Sequence, residues 1–438
     1  MRKITFIGAG STVFAKNVLG DIVLTPELKG SELALYDIDP VRLDDSYRMM
    51  KNINANYGEP MIIKAYSDSR EAFKGASYLV NAIQVGGYDP CTIIDFEIPK
   101  KYGLRQTIGD TLGIGGIFRA LRTIPVMLDY ARLIEEVCPD AWLLNYTNPM
   151  AMVTGAILRG SNVKTVGLCH SVQVCASSLL HTLKMADRYQ KVVQKVAGIN
   201  HMAWLLEVKG DGRDIYPEIK ARFAELEASG ELKNSGNLVR LEIMKRFGYY
   251  LTESGEHDAE YVPYFIKSKY PELIERFNIP LDEYPRRCIN QINRWESMRK
   301  DLVENTKIEH RLTHEYAANI IKALATDTHY EIAGNVINNG MITNLPSNAC
   351  VEVPCLVNGY GIHPCFVGDL PEQCAALNRT NINVQNLTIE AALTLKKEYV
   401  YHAALLDPHT SAELSIDDII SLCDDLFEAH KDWLPEYK

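Results

Sequence analysis

The chain has 438 residues, 47% of them hydrophobic and 23% charged, and a formal net charge of −10. So much apolar material buries a large core and excludes disorder as the main state, while the acidic balance, with no basic stripe, excludes a nucleic-acid partner. No apolar run approaches bilayer length, and Lys3-Ile4-Thr5-Phe6-Ile7 enters a strand pattern with no leader before it, so the expectation is a cytoplasmic protein without a membrane partner.

In chain order, short apolar runs alternate with helical periodicity over the first ~195 residues, the pattern of βαβ units. Strands are predicted at Ile4–Ile7, Leu33–Tyr36, Tyr78–Ile83, Trp142–Asn145 and Thr165–Leu168, and a helix at Ile117–Val137. The strand runs are near-continuously apolar rather than alternating, as in a parallel sheet covered on both faces. Beyond Val196 the pattern loosens: strands are expected at Trp204–Val208 and Cys350–Val357, helices at Arg311–Ala325 and Ile389–Leu406. The expected architecture is an α/β, Rossmann-type, doubly wound parallel sheet like that of lactate and malate dehydrogenases (1–195), followed by an α+β substrate, metal-binding and oligomerisation domain (196–438). No Gly-, Pro- or Ser-rich linker separates them. The ten cysteines are scattered and read mostly as free thiols.

Gly8-Ala9-Gly10-Ser11-Thr12 follows the first strand and precedes a helix. Two glycines allow a tight turn close to a pyrophosphate, which the helix start can hold. Val13 stands where a third glycine would complete the motif. Asp37 ends the second strand, where a carboxylate accepts from an adenosine ribose and favours NAD over NADP. Gln84 lies in the small-residue loop after the Tyr78 strand. The plainer alternative is an ordinary strand-turn-helix corner.

Three further segments follow later strands, where such a sheet places its ligand crevice. Asn148 precedes Pro149, which bars it from helical geometry and lets its amide project toward a ligand. Cys169-His170 and Asn200-His201 offer a thiolate and an imidazole, two ligands for a metal with open positions. Core packing of both residues, or a Cys-His nucleophile, stand as the competing readings. The run Glu253-Ser254-Gly255-Glu256-His257-Asp258-Ala259-Glu260-Tyr261 is dense in titratable groups and reads either as a charged loop or as the carrier of a general base; Arg286-Arg287 suits substrate oxygens or plain surface.

Taken together, Phe6–Thr12, Ile83–Tyr88, Asn145–Met150, Cys169–Val172, Gly198–Met202 and Asp407–Thr410 resemble the NAD- and manganese-dependent glycosidases of glycoside hydrolase family four, nearly end to end. The Cys169-His170-Ser171-Val172 version implies an α-galactoside as the small-molecule substrate. The resemblance implies NAD at Gly8, Gly10, Ser11, Thr12, Asp37 and Gln84. It implies Mn2+, or another divalent cation, on Cys169 and His201. It further implies His170 as the acid, Tyr261 or Asp258 as the base, Asn148 and Arg287 as substrate-binding residues, and a homodimer or homotetramer. The implied reaction oxidises carbon 3 of the sugar, removes the proton at carbon 2, eliminates the aglycone, adds water and returns the hydride. Alternatives are an α-glucosidase or α-galacturonidase of the same family, a malate/lactate-like dehydrogenase, and a non-catalytic NAD-binding module.

Overall fold

The computed structural model describes residues 2–438. Among them thirteen strands form one sheet: β1 (Lys3–Ile7), β2 (Glu32–Tyr36), β3 (Ile62–Tyr66), β4 (Tyr78–Asn81), β5 (Trp142–Asn145), β6 (Lys164–Gly167), β7 (Val192–Ile199), β8 (Met202–Gly210), β9 (Arg213–Asp214), β10 (Tyr250–Leu251), β11 (Tyr330–Ile337), β12 (Cys350–Asn358) and β13 (Gly361–Pro364). The parallel part runs β3-β2-β1-β4-β5-β6, the dinucleotide-binding order. It continues through the antiparallel β11, β12, β7, β8 and β10, so one sheet crosses residue 195.

Strand β3 carries no strong sequence signal because it is an edge: only Ile63 is buried, while Lys64 and Tyr66 turn to the Glu32 carboxylate, each at 2.7 Å. The Ile117–Val137 helix starts earlier, at Gly113, and is buried along most of its length. The expected helix over Ile389–Leu406 is two helices, Glu372–Thr394 and Lys397–Leu406, broken where Leu395 takes φ 57°. The expected helix from Arg311 begins only at Ala317, because the segment before it is pinned to Asp21 by His310 and Thr313. Core residues from both halves of the chain, among them Phe6, Leu144, Trp204 and Val353, belong to one apolar cluster.

One long helix is unusual. Glu283–Arg299 has no buried residue; it is held at its start by Tyr284, within 3.3 Å of Arg119, and at its end by Arg299, which grips Asp45 at 2.8 Å. No helix of the described residues is long and apolar enough to cross a membrane.

Candidate active site

The site grows from strand ends. Cys169 lies two residues beyond β6, and His201 sits in the turn joining β7 to β8 with φ 63°, a left-handed conformation uncommon for a side-chain-bearing residue. Strand β10 pairs with β8, Leu251 opposite Trp204, and the Thr252 N–H donates to the Ala203 carbonyl at 3.0 Å. That pairing carries Glu253 to His201. The short helix Gly255–Tyr261 then brings Tyr261 against the same imidazole. Behind the ligand strands, the Asn335 amide donates to the Gly167 carbonyl (3.3 Å) and the Glu352 carboxyl (3.0 Å), while Glu352 lies in register with Gly198. One polar pair thus braces both strand ends.

Ligand atoms of Cys169, His201 and Glu253 lie within 4.8 Å of one another. Glu253 Oε2 is 3.8 Å from the Cys169 sulfur and 3.6 Å from His201 Nε2. His201 Nδ1 meets the Tyr261 hydroxyl at 3.1 Å, which leaves Nε2 facing the cluster. Burial pushes His201 down to about 4, so its ring stays neutral and free to ligate at neutral pH. Burial, reinforced by the Glu253 charge, pushes the Cys169 thiol up. Sulfur, imidazole and carboxylate with open positions suit a divalent transition ion, and the carboxylate favours manganese among them. Glu253 is the candidate donor that the sequence did not mark; it lay inside the titratable run but no spacing distinguished it. Glu253→Gln is expected to weaken Mn2+ binding by about 10- to 100-fold, read as free Mn2+ by electron paramagnetic resonance. Unchanged affinity would remove Glu253 from the donor set.

A second cluster adjoins the first. The buried Asp110 carboxylate accepts from Asn148 Nδ2 at 3.4 Å, lies 3.7 Å from His257 Nε2 and 3.9 Å from Arg119. Burial opposes its ionisation, yet His257 and Arg119 hold it well below the usual carboxylate range. Although burial works against its charge, His257 is raised to about 9 by Asp110 and Glu253. Its ring centroid is 4.5 Å from that of His201. Asp110 was not singled out from sequence, because a lone aspartate after a glycine between helices carries no pattern; His257 lay inside the titratable run without a role of its own.

The two base candidates separate by partner rather than by burial. Both are buried and burial raises the pKa of both, but the Tyr261 hydroxyl meets His201 whereas neither oxygen of Asp258 has a partner. His170 is exposed; its nearest carboxylate is Glu315, 3.9 Å away. Arg287 sits at the rim on the exposed helix, paired with Glu283 (2.6 Å) and Glu256 (3.2 Å).

At the dinucleotide end Gly8 has φ 88° and a Cβ there would meet the Ala82 carbonyl at 2.9 Å; a Cβ on Gly10 would meet the Asp37 carboxylate at 2.7 Å. Asp37 accepts from the Gly10 N–H at 2.6 Å. The Ser11 hydroxyl is buried without a partner, an orphaned donor at the start of the helix Val13–Val23 that fits a phosphate oxygen. Thr12 instead turns inward to Ser46, 3.3 Å away. Gln84 lies in the loop beyond β4, its amide 3.3 Å from Thr92.

Residues 3–185 match the model of the family 4 glycosyl hydrolases and residues 196–410 that of their C-terminal domain. The chain is similar to an α-galactosidase of Bacillus subtilis, 62% identical over 438 residues and the full length of both. Among solved structures it resembles a 6-phospho-α-glucosidase from gut microorganisms in complex with NAD and Mn2+, with a TM-score of 0.82 at 21% identity over 100% of both chains. It also resembles a malate dehydrogenase from Plasmodium falciparum, with a TM-score of 0.55 at 16% identity over 90% of this chain and 99% of the other.

Proposed function

This chain belongs to the family 4 glycosyl hydrolases, and from that premise we propose that it hydrolyses α-galactosides using NAD and a divalent cation, Mn2+ first among them. The observation that carries this reading is the meeting of Cys169, His201 and Glu253 with Tyr261 at the crevice of a dinucleotide-binding sheet. The choice of sugar is supported by the full-length likeness to an α-galactosidase.

When bound, NAD supplies a reversible hydride acceptor for carbon 3 and the cation supplies the charge that makes the neighbouring C–H acidic. The protein does the rest. Residues Gly8, Gly10 and Ser11 leave room and a donor for the pyrophosphate, and Asp37 accepts from the ribose. The set Cys169, His201 and Glu253 would hold the cation. From beside His201, Tyr261 would take the proton at carbon 2 in its phenolate form, which burial opposes and the charge of a bound cation would favour. The amide of Asn148 binds a sugar hydroxyl in concert with Asp110 and Arg119, and Arg287 reaches substrate oxygens from the rim. For leaving-group protonation the sequence candidate is His170, at the solvent edge; the protonated His257 stands closer to the donor cluster.

We take residues 1–195 as the cofactor-binding unit and 196–438 as the unit that completes the metal and substrate site. We place the enzyme in the cytoplasm, a reading supported by ten free cysteines among the described residues, and as a homodimer or homotetramer, which light scattering tests directly.

The test of function is nitrophenol release from nitrophenyl α-galactoside, α-glucoside and α-galacturonide, with NAD and Mn2+ each left out in turn. The expected result is fastest turnover of the galactoside, lost without either addition. Faster turnover of the glucoside or uronide would move the assignment within the family. NADH accumulation on a hydroxy acid without aglycone release would replace it with a dehydrogenase, and NAD binding with no turnover would leave a binding module.

A further inference from the structure

A buried polar chain lies outside the metal cluster and joins the far end of the polypeptide to the loop after β4. His430 follows the helix Ile416–Ala429 and is fully buried, its ring stacked on Phe118 with centroids 5.9 Å apart. Its Nε2 meets Asp95 Oδ1 at 2.8 Å. Both Asp95 oxygens accept from the Arg122 guanidinium, at 3.0 and 2.5 Å. The remaining Arg122 nitrogen, Nε, donates to the Val85 carbonyl at 3.2 Å. Arg122 is 1% exposed and Asp95 2%, so water offers none of these groups a substitute partner.

Val85 stands between Gln84 and Gly86, just ahead of the short helix Gly87–Thr92, whose start is tied by the Cys91 N–H donating to the Gly86 carbonyl at 3.4 Å; Gly86 and Gly87 both have positive φ. The loop therefore owes its shape to a few contacts. One is the Arg122 bond; another is the close fit of Gly86 on Cys91, where a Cβ would come within 2.1 Å of the sulfur. A guanidinium that must satisfy Asp95 with two nitrogens and Val85 with the third is fixed in plane only while Asp95 is itself fixed, and His430 supplies that second hold.

We propose that His430, Asp95 and Arg122 form a positioning relay through which the C-terminal segment holds the Val85 loop in the shape that receives the dinucleotide. All three are buried, and each acts through the Val85 carbonyl. The proposal rests on the reading of the β4 loop as part of the NAD site.

The test measures NAD and Mn2+ dissociation constants separately on the full-length protein stripped of both. Arg122→Lys keeps the charge beside Asp95 but cannot also reach Val85. His430→Leu keeps the volume and removes the donor, whereas His430→Gln places an amide N–H where Nε2 was. If the receptive loop shape falls to about one part in ten, NAD affinity drops about tenfold in Arg122→Lys and His430→Leu. Affinity is expected to return in His430→Gln, and Mn2+ affinity to stay within about twofold throughout. Unchanged NAD affinity in Arg122→Lys and His430→Leu, or parallel loss of NAD and Mn2+ affinity, would overturn the relay. Absence of NAD binding by the unmodified protein would instead overturn the cofactor reading beneath it.

Discussion

Cys169→Ser is expected to lower Mn2+ affinity by roughly a hundredfold or more, since it removes the one soft anionic donor and leaves a hydroxyl that stays protonated. The fold should survive, because Cys169 packs beside Ser171 (3.0 Å) and the exchange is nearly isosteric. A chelator should abolish turnover by the unmodified enzyme, and added Mn2+ should restore it. The pH dependence carries the same signature. Burial holds the free thiol above its ordinary range, so cation binding must expel its proton, and affinity should rise about tenfold per pH unit between about pH 6 and pH 8. His201 contributes nothing to that slope, because its proton is already lost above about pH 4. Free Mn2+ measured by electron paramagnetic resonance across that range checks both claims. A serine variant with full affinity and the same slope would transfer the anionic role to another residue.

Tyr261→Phe is expected to cut kcat at saturating Mn2+ by about 10²- to 10⁴-fold, the usual contribution of a positioned base. Loss of the hydroxyl also strips His201 Nδ1 of its partner, so Mn2+ affinity should fall by about tenfold, and the kcat comparison must be made at saturation. The readout specific to proton abstraction is a galactoside deuterated at carbon 2: the unmodified enzyme should pass the label to water during cleavage, and the variant should lose exchange and cleavage together. Asp258→Asn supplies the contrast. A carboxyl that is buried and unpartnered, its pKa raised by that burial, is close in shape to an amide, so kcat should change by less than about threefold. The reverse outcome, with Asp258→Asn inactive and Tyr261→Phe active, would exchange their roles.

The contrast between these two residues shows what was readable from the chain alone. The parallel sheet was legible because β1, β2, β4 and β5 are covered on both faces and so run largely apolar, and the glycine loop was legible because Gly8 and Gly10 cannot carry side chains. The edge strand β3 escaped because only one of its residues is buried. Cys169 and His201 stood out as a thiol and an imidazole at strand ends, but their meeting depends on β7 and β12 joining the sheet, a long-range pairing that no local period encodes. The family resemblance supplied that link. Glu253 and Asp110 escaped because what distinguishes them is proximity: the pairing of β10 with β8 delivers one, and the convergence of Asn148, His257 and Arg119 marks the other. The choice between Tyr261 and Asp258 required knowing which face of a seven-residue helix meets His201.

The helix Glu283–Arg299 has a consequence of its own. A stretch that contributes nothing to the hydrophobic interior can accumulate substitutions at little thermodynamic cost, provided its two moorings, at Tyr284 and Arg299, persist. It also carries Arg287 to the mouth of the crevice. Diversification of leaving-group preference among descendants of this protein should therefore concentrate along this span, while Cys169 and His201 at the strand ends stay frozen.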